Sequence, residues 1–169
     1  MNNLLQTQTE KEGIRVWTFD QRKSSANVLG TKAFDAMERE LDLLESKEIP
    51  ATALIIRSAK PRIFLAGADL NELRKNRGRE LEAMVERGQR IFERLAALPF
   101  PSACLVDGVC LGGGYELALA CDYRIATNLK TTKIGLPELQ LGLLPAWGGC
   151  SRLPRLIGIT KAMTAITTG

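Results

Sequence analysis

Histidine is missing from all 169 residues of this sequence. Histidine-dependent triads and most zinc sites are thereby excluded. Cysteine is scarce: Cys104, Cys110, Cys121 and Cys150 are the four, and no two form a CxxC pair. Three of them stand inside apolar runs, where small buried hydrophobes belong, so free thiols in a cytoplasmic protein are expected rather than a disulfide framework. No apolar run is long enough to cross a membrane as a helix. The start, MNNLLQTQTEKEG, has no basic leader followed by an apolar stretch, so a signal peptide is not expected. Long blocks of one charge sign are also absent: 23 basic and 19 acidic residues alternate, leaving a net charge of +4. A nucleic-acid surface needs a continuous basic stripe, and this chain has none. Its densest basic stretch, Arg74, Lys75, Arg77 and Arg79, is flanked by Glu72, Glu80 and Glu82. That stretch reads either as a solvated helix face or as a patch that attracts the phosphates of an anionic ligand.

What is present is the composition of a globular protein, 45% apolar and 25% charged, in a chain sized for one domain with a sizeable core. Residues 1–13 read as a polar lead-in and 14–169 as the domain. Ile14, Val16, Thr18 and Phe19 mark a first strand. The loop DQRKSSAN follows, and then Phe34, Met37, Leu41 and Leu44 recur at the three- and four-residue spacing of an amphipathic helix over Thr31–Ser46. Pro50 ends that unit, and TALIIR, Thr52–Arg57, reads as a buried strand. After the corner FLAGADL, Asp69 is placed to cap a helix, with Glu72 three residues on as in a capping box. Leu81, Met84, Val85, Ile91, Phe92, Leu95 and Leu98 mark one face of a longer helix, which Gly88 either weakens or opens to close packing.

A strand at Ser102–Val106 leads through DGVCLGGG into the helical run YELALA, and DYRIAT reads as a further strand. The alternation argues for an α/β protein with crossovers. The last forty residues, rich in glycine and proline, predict short turns and short helices. KAMTAITTG breaks off after an apolar helical run without a polar tail, which predicts a domain interrupted at that point.

Chemistry concentrates at glycine corners. Gly112-Gly113-Gly114-Tyr115-Glu116 stands at a strand-to-helix junction, where free backbone N–H groups and the helix dipole favour a negative oxygen. The bland alternative is that the glycines permit close packing and Glu116 merely complements the dipole. Neither GxxxxGK[ST] nor GxGxxG occurs, so this is not a phosphate-loop or dinucleotide signature. A second corner, Ala66-Gly67-Ala68-Asp69, offers the N–H of Ala68, and two such donors suit a thioester oxygen that becomes enolate-like. Glu138, among Leu136, Leu139, Leu141, Leu143 and Leu144, is either an ordinary solvent-facing carboxylate or a desolvated one with a raised pKa. In the second case, Glu116 and Glu138 together are able to share and orient one water.

Taken in order, FLAGADL, DGVCLGGGYELALACDYRIA and GLPELQLGLLPAWGG resemble the successive signature segments of the crotonase, or enoyl-CoA hydratase/isomerase, family. The resemblance runs from about Ile14 to the end of the chain. It implies an α/β fold built as a ββα spiral, here shortened before the family's C-terminal helices, with apolar surface exposed where those helices pack. It implies an oxyanion hole from the amides of Ala68 and Gly113, and two catalytic glutamates, Glu116 and Glu138. Joint retention of both favours hydration of trans-2-enoyl-CoA to 3-hydroxyacyl-CoA. The alternatives are a Δ3–Δ2 enoyl-CoA isomerase, or a fragment that binds acyl-CoA without turning it over.

No cofactor or metal is implied, since coenzyme A is part of the substrate. Its contacts are expected from Ser24, Ser25, Ala26, Ala66, Ala68, Leu70 and Gly113. Some relatives have a lysine two residues after the aspartate of AGAD; this chain has Asn71, so Lys23 or Arg22 is expected to meet the phosphates. The wording is most similar to the N-terminal hydratase part of the multifunctional fatty-acid oxidation enzymes of β-oxidation. That likeness implies a homo-oligomer or a complex with a thiolase subunit as partner, without nucleic acid or membrane.

Overall fold

The β-branched and aromatic run at Ile14–Phe19 and the aliphatic run at Ala53–Ser58 each form a strand, and their pairing organises the rest. The computed structural model describes residues 4–169. Five strands, β1 (Leu5–Thr9), β2 (Ile14–Phe19), β3 (Ala53–Ser58), β5 (Ser102–Val106) and β7 (Tyr123–Ala126), make one sheet in the order β1-β2-β3-β5-β7. Only β1 runs antiparallel to its neighbour; the other pairings are parallel, with Ile14 opposite Ala53 and Ala103 opposite Tyr123. Three short strands, β4 (Ile63–Leu65), β6 (Val109–Leu111) and β8 (Lys133–Gly135), form a second parallel sheet in the order β4-β6-β8. After β1 and β2, which both lie in the larger sheet, the pairs β3/β4, β5/β6 and β7/β8 each give one strand to each sheet before the chain turns into helix. That is a ββα repeat wound as a spiral.

The helices are α1 (Thr31–Glu45), α2 (Leu70–Lys75), α3 (Arg79–Ala96), α4 (Gly113–Ala120), α5 (Gly149–Ile157) and α6 (Ile159–Thr168). On α1 the residues Phe34, Met37, Leu41 and Leu44 are all buried, as their spacing predicts. Each such side chain contributes roughly 1.5–3 kcal/mol when removed from water. They meet Ile91, Phe92 and Leu95 of α3 in a core that also holds Trp17, Phe19 and Phe64. Along the outer seam of α1 and α3, Arg87 bonds Asp35 and Glu38, and one helical repeat on Arg94 bonds Asp42 and Glu45. These pairs are partly exposed and fix the alignment of the two helices more than they stabilise them.

Several expectations are corrected here. The lead-in at residues 1–13 is not uniformly polar coil: β1 lies within it, and Leu5 is part of the core. Its first three residues lie outside the described part. The helix start expected at Asp69 is the short α2, and the longer helix marked by Leu81–Leu98 is α3, the two being separated at residues 76–78. Asp69 does cap α2, accepting from the N–H of Asn71 and Glu72, but Glu72 closes no capping box. Its carboxylate accepts instead from the N–H and Oγ1 of Thr31, both at 2.8 Å, and so satisfies the start of α1. A Cβ on Gly30 would lie 2.9 Å from that carboxylate, which is why α1 begins after a glycine. The final forty residues contain β8 as well as the expected turns and helices. The basic stretch Arg74, Lys75, Arg77 and Arg79 is an exposed surface at the end of α2 and the start of α3. It lines neither cavity described below.

Large apolar side chains remain exposed on β7 (Tyr123, Ile125) and on α5 and α6 (Ile157, Ile159, Met163). No helix among the described residues is long and apolar enough to cross a membrane.

Candidate active site

The three glycines before Glu116 each have a separate steric reason. Gly112 has φ +52, and a Cβ there would come within 3.0 Å of Glu138 Oε1. A Cβ on Gly113 would lie 2.4 Å from Trp147 Cζ3, and one on Gly114 would lie 2.5 Å from the Leu65 carbonyl oxygen. The Gly114→Ala variant is accordingly expected to lose about 1–3 kcal/mol through overpacking. A lower urea midpoint at unchanged slope would register that loss; an unchanged midpoint would contradict it.

Gly113 opens α4, so its N–H has no partner within the helix. The other glycine corner comes to meet it. Gly67, with φ +98, brings its backbone so close that a Cβ there would stand 4.0 Å from Gly113 N. Leu29 pairs with Ala68 through a parallel bridge, in which Leu29 donates to Gly67 O and accepts from Asp69 N. The N–H of Ala68 itself is not used in that bridge. Among the described residues, neither Ala68 N–H nor Gly113 N–H donates to a carbonyl or side chain. Both residues line a cavity of about 760 Å³.

Two carboxyl groups line the same cavity. Glu116, on the first turn of α4, is 2% exposed, and its Oε1 accepts from the backbone N–H of Trp147 and of Gly149, each at 2.8 Å. Those two bonds orient the carboxyl and leave Oε2 without a protein partner. Burial raises the Glu116 pKa to about 7, the negative charge of Glu138 adds to the shift, and the Gly149 and Trp147 amides with Arg152 oppose it. Glu138 lies in the short 3-10 turn Pro137–Leu141, with both carboxyl oxygens shielded from solvent and no partner of good hydrogen-bond geometry. Desolvation raises its pKa also, offset only in part by its own backbone amide. Of the two readings open for Glu138 in the sequence, the desolvated one is correct. The rest of the cavity wall is mostly aliphatic, with Leu73, Leu81, Val85, Leu139, Leu141 and Leu144.

A second cavity, of about 540 Å³, adjoins the first through Ala66, Ala68 and Leu70, which line both. Its polar lining includes Arg22, Lys23, Ser24 and Lys32, together with Asp20 and Asp69. Ser25 and Ala26 do not line it. They belong to the turn that Ser24 stabilises by accepting from Ala26 N. The loop is tied down by Asn27, whose side chain donates to Phe19 O and Ser58 Oγ and accepts from Gln21 N.

Residues 9–169 match the family model described as enoyl-CoA hydratase/isomerase. The chain belongs to that family. Among curated relatives it is 43% identical over 161 residues to the fatty acid oxidation complex subunit alpha of Aliivibrio fischeri, an alignment covering 95% of this chain and 23% of that protein. Among solved structures it matches an enoyl-CoA hydratase of Geobacillus kaustophilus with a TM-score of 0.92 at 30% identity, over 100% of this chain and 62% of the other. The enoyl-CoA hydratase of Bacillus anthracis gives a TM-score of 0.89 at 31% identity, over 98% of this chain and 63% of the other. The chain thus spans about a quarter of the length of its curated relatives. The crotonase-like spiral inferred from three motifs is the fold observed.

Within this family frame, the sequence reading brought together Glu116, Glu138, Ala68 and Gly113, and they do share one cavity. It passed over three contributors. The amides of Trp147 and Gly149 that hold Glu116 lie in the quoted segment AWGG, but nothing in a backbone amide's sequence context announces an acceptor thirty residues away. Lys32, at the start of α1, lines the second cavity, and the nearby Leu29 pairs with Ala68 of its wall.

Proposed function

We propose that this chain carries the active site of an enoyl-CoA hydratase, which adds water across the double bond of trans-2-enoyl-CoA. The observation that carries the reading is that two desolvated carboxyls and two unpaired backbone amides face one aliphatic cavity. The amides of Ala68 and Gly113 donate hydrogen bonds to the thioester carbonyl oxygen and stabilise the negative charge it gains as water attacks C3. Glu116, its carboxyl oriented by two amides, takes a proton from the attacking water through the free Oε2. Glu138 delivers a proton to C2. The C3–OH and C2–H bonds form, the C2–C3 π bond is lost, and the proton left on Glu116 returns to Glu138 before the next turnover. A single proton distributed over the pair suits two buried carboxyls that repel one another when both are charged.

The remaining contacts extend this reading. Arg22, Lys23 and Lys32 suit the phosphates of coenzyme A, and Ser24, Ala66 and Leu70 its path toward the thioester. The aliphatic wall suits a fatty acyl tail. The relatives' name, fatty acid oxidation complex subunit alpha, supports a β-oxidation role within a complex, and a thiolase subunit in the cytoplasm is the partner proposed for it.

Product analysis tests the reaction: the chain is incubated with trans-2-enoyl-CoA and with 3-enoyl-CoA, and products are separated chromatographically. 3-Hydroxyacyl-CoA from the first substrate is the expected result. A shift of the double bond in the second, without hydration of the first, would make the protein an isomerase, and binding with no product would make it an acyl-CoA binder. The rate should follow a bell-shaped pH profile, rising as the pair loses its first proton and falling as it loses its second. The two apparent pKa values belong to the pair. A profile flat from about pH 5 to 9 would contradict proton transfer by coupled carboxyls.

A further inference from the structure

The indole of Trp147 occupies a slot cut by two glycines on different helices. A Cβ on Gly88 of α3 would lie 2.4 Å from Trp147 Nε1, and a Cβ on Gly113 of α4 would lie 2.4 Å from Trp147 Cζ3. Phe34 and Phe92 meet the ring edge-on, with centroids at 5.1 and 6.0 Å. The ring is thus wedged between α3 and the first residue of α4, and is 4% exposed. Its Nε1 is buried without a partner, so shape and not hydrogen bonding selects the position. The backbone of the same residue is clamped as well. Gln89 donates to Ala146 O at 2.7 Å, Arg152 donates to Trp147 O at 3.2 Å, and Trp147 N donates to Glu116 Oε1.

We infer that Trp147 is a positioning residue for the reaction, one that sets the Gly113 N–H and the Glu116 carboxyl in register through a single side chain wedged against α3. The inference rests on the hydratase reading for its kinetic consequence, but not for its structural one. The indole backs the peptide that offers Gly113 N–H, while the amide of the same residue holds Glu116. A shift of the ring therefore moves both elements together, and a misplacement of about 1 Å is enough to cost about 10²-fold in rate. Loss of the amide bonds to a carboxylate also removes stabilisation of its charged form and raises its pKa.

Gly88→Ala is the sharper test, because Gly88 lies on α3 away from the carboxyls. Alanine in a helix interior is ordinarily favoured over glycine, but here its Cβ meets the indole, so a merely structural view expects overpacking to change stability while kcat and the Glu116 titration stay unaltered. The wedge instead predicts a displaced indole, a kcat lowered about tenfold or more with a smaller change in KM, and a Glu116 titration moved to higher pH. Trp147→Ala should move the same quantities further in the same direction, with Trp147→Phe between it and the original.

Glu116 is followed by 13C NMR of labelled glutamate, assigned by its absence in Glu116→Gln, so this readout needs no turnover. An upward-shifted titration in Gly88→Ala supports the inference even if the parent chain proves inactive, which would sink only the hydratase reading. Unaltered titration in folded Gly88→Ala overturns the inference whatever the activity. If the parent is active, an unchanged kcat and pH profile in that variant overturns it equally.

Discussion

Glu138→Gln is expected to lower kcat for hydration by about 10²–10⁴-fold, the range contributed by a positioned acid–base group, while acyl-CoA affinity stays within a few-fold of the original. Glutamine keeps the shape of the side chain but can neither donate a carboxyl proton to C2 nor recover one. The carboxyl of Glu138 has no well-formed partner in the fold, so the substitution breaks no structural bond. The two effects are therefore separable in this variant. Single-turnover rates and equilibrium binding of a saturated acyl-CoA measure them independently. Near-normal turnover would remove Glu138 from the mechanism, and lost binding with unchanged chemistry would reassign it to substrate recognition.

Glu116→Gln should also abolish most turnover, yet it is expected to make the protein more stable at neutral and alkaline pH. The Glu116 pKa lies near 4.5 when exposed and is raised to about 7 in the fold. Between those values the native state binds a proton that the unfolded state does not, so stability falls as pH rises through that window, and the loss persists above it. Glutamine carries no such charge, and its carbonyl oxygen can still accept from Trp147 N and Gly149 N. The stability advantage of the variant should thus widen from about pH 5 to about pH 8 by roughly 2 kcal/mol. Urea denaturation at the two pH values reads it directly, and an advantage that did not change with pH would mean that Glu116 is not strained by its burial. An active-site carboxyl held against its own solvation is a local cost that the rest of the core offsets.

These expectations depend on features that differ in how far they are visible without coordinates. The periodicity of Phe34, Met37, Leu41 and Leu44 identified α1 because a helix buries one face, and the burial follows directly from spacing. β1 was missed because its sequence, LQTQT, buries only Leu5 and owes its conformation to hydrogen bonds with β2. β8 was missed for a similar reason: three residues, Lys133–Gly135, carry little pattern of their own and are held by their parallel pairing with β6. Glu72 fitted a capping box in its local context, but the nearer electrostatic opportunity lay across the fold at Thr31. Among the contacts expected for coenzyme A, Ser24, Ala66, Ala68 and Leu70 line the second cavity, whereas Ser25 and Ala26 do not.

By itself, then, the sequence determined the α/β class, the helix faces, the two glycine corners and the identity of the candidate carboxyls. Each follows from residue type and short-range spacing, where sterics and periodic burial act within a few residues. Tertiary structure alone decided that the corners meet, that Glu138 is desolvated while Arg74 and its basic neighbours line neither cavity, and that Trp147 holds Glu116. Those outcomes depend on distances between segments far apart in the chain, and on the loss of solvent around a carboxyl. Neither quantity is defined until the spiral has closed.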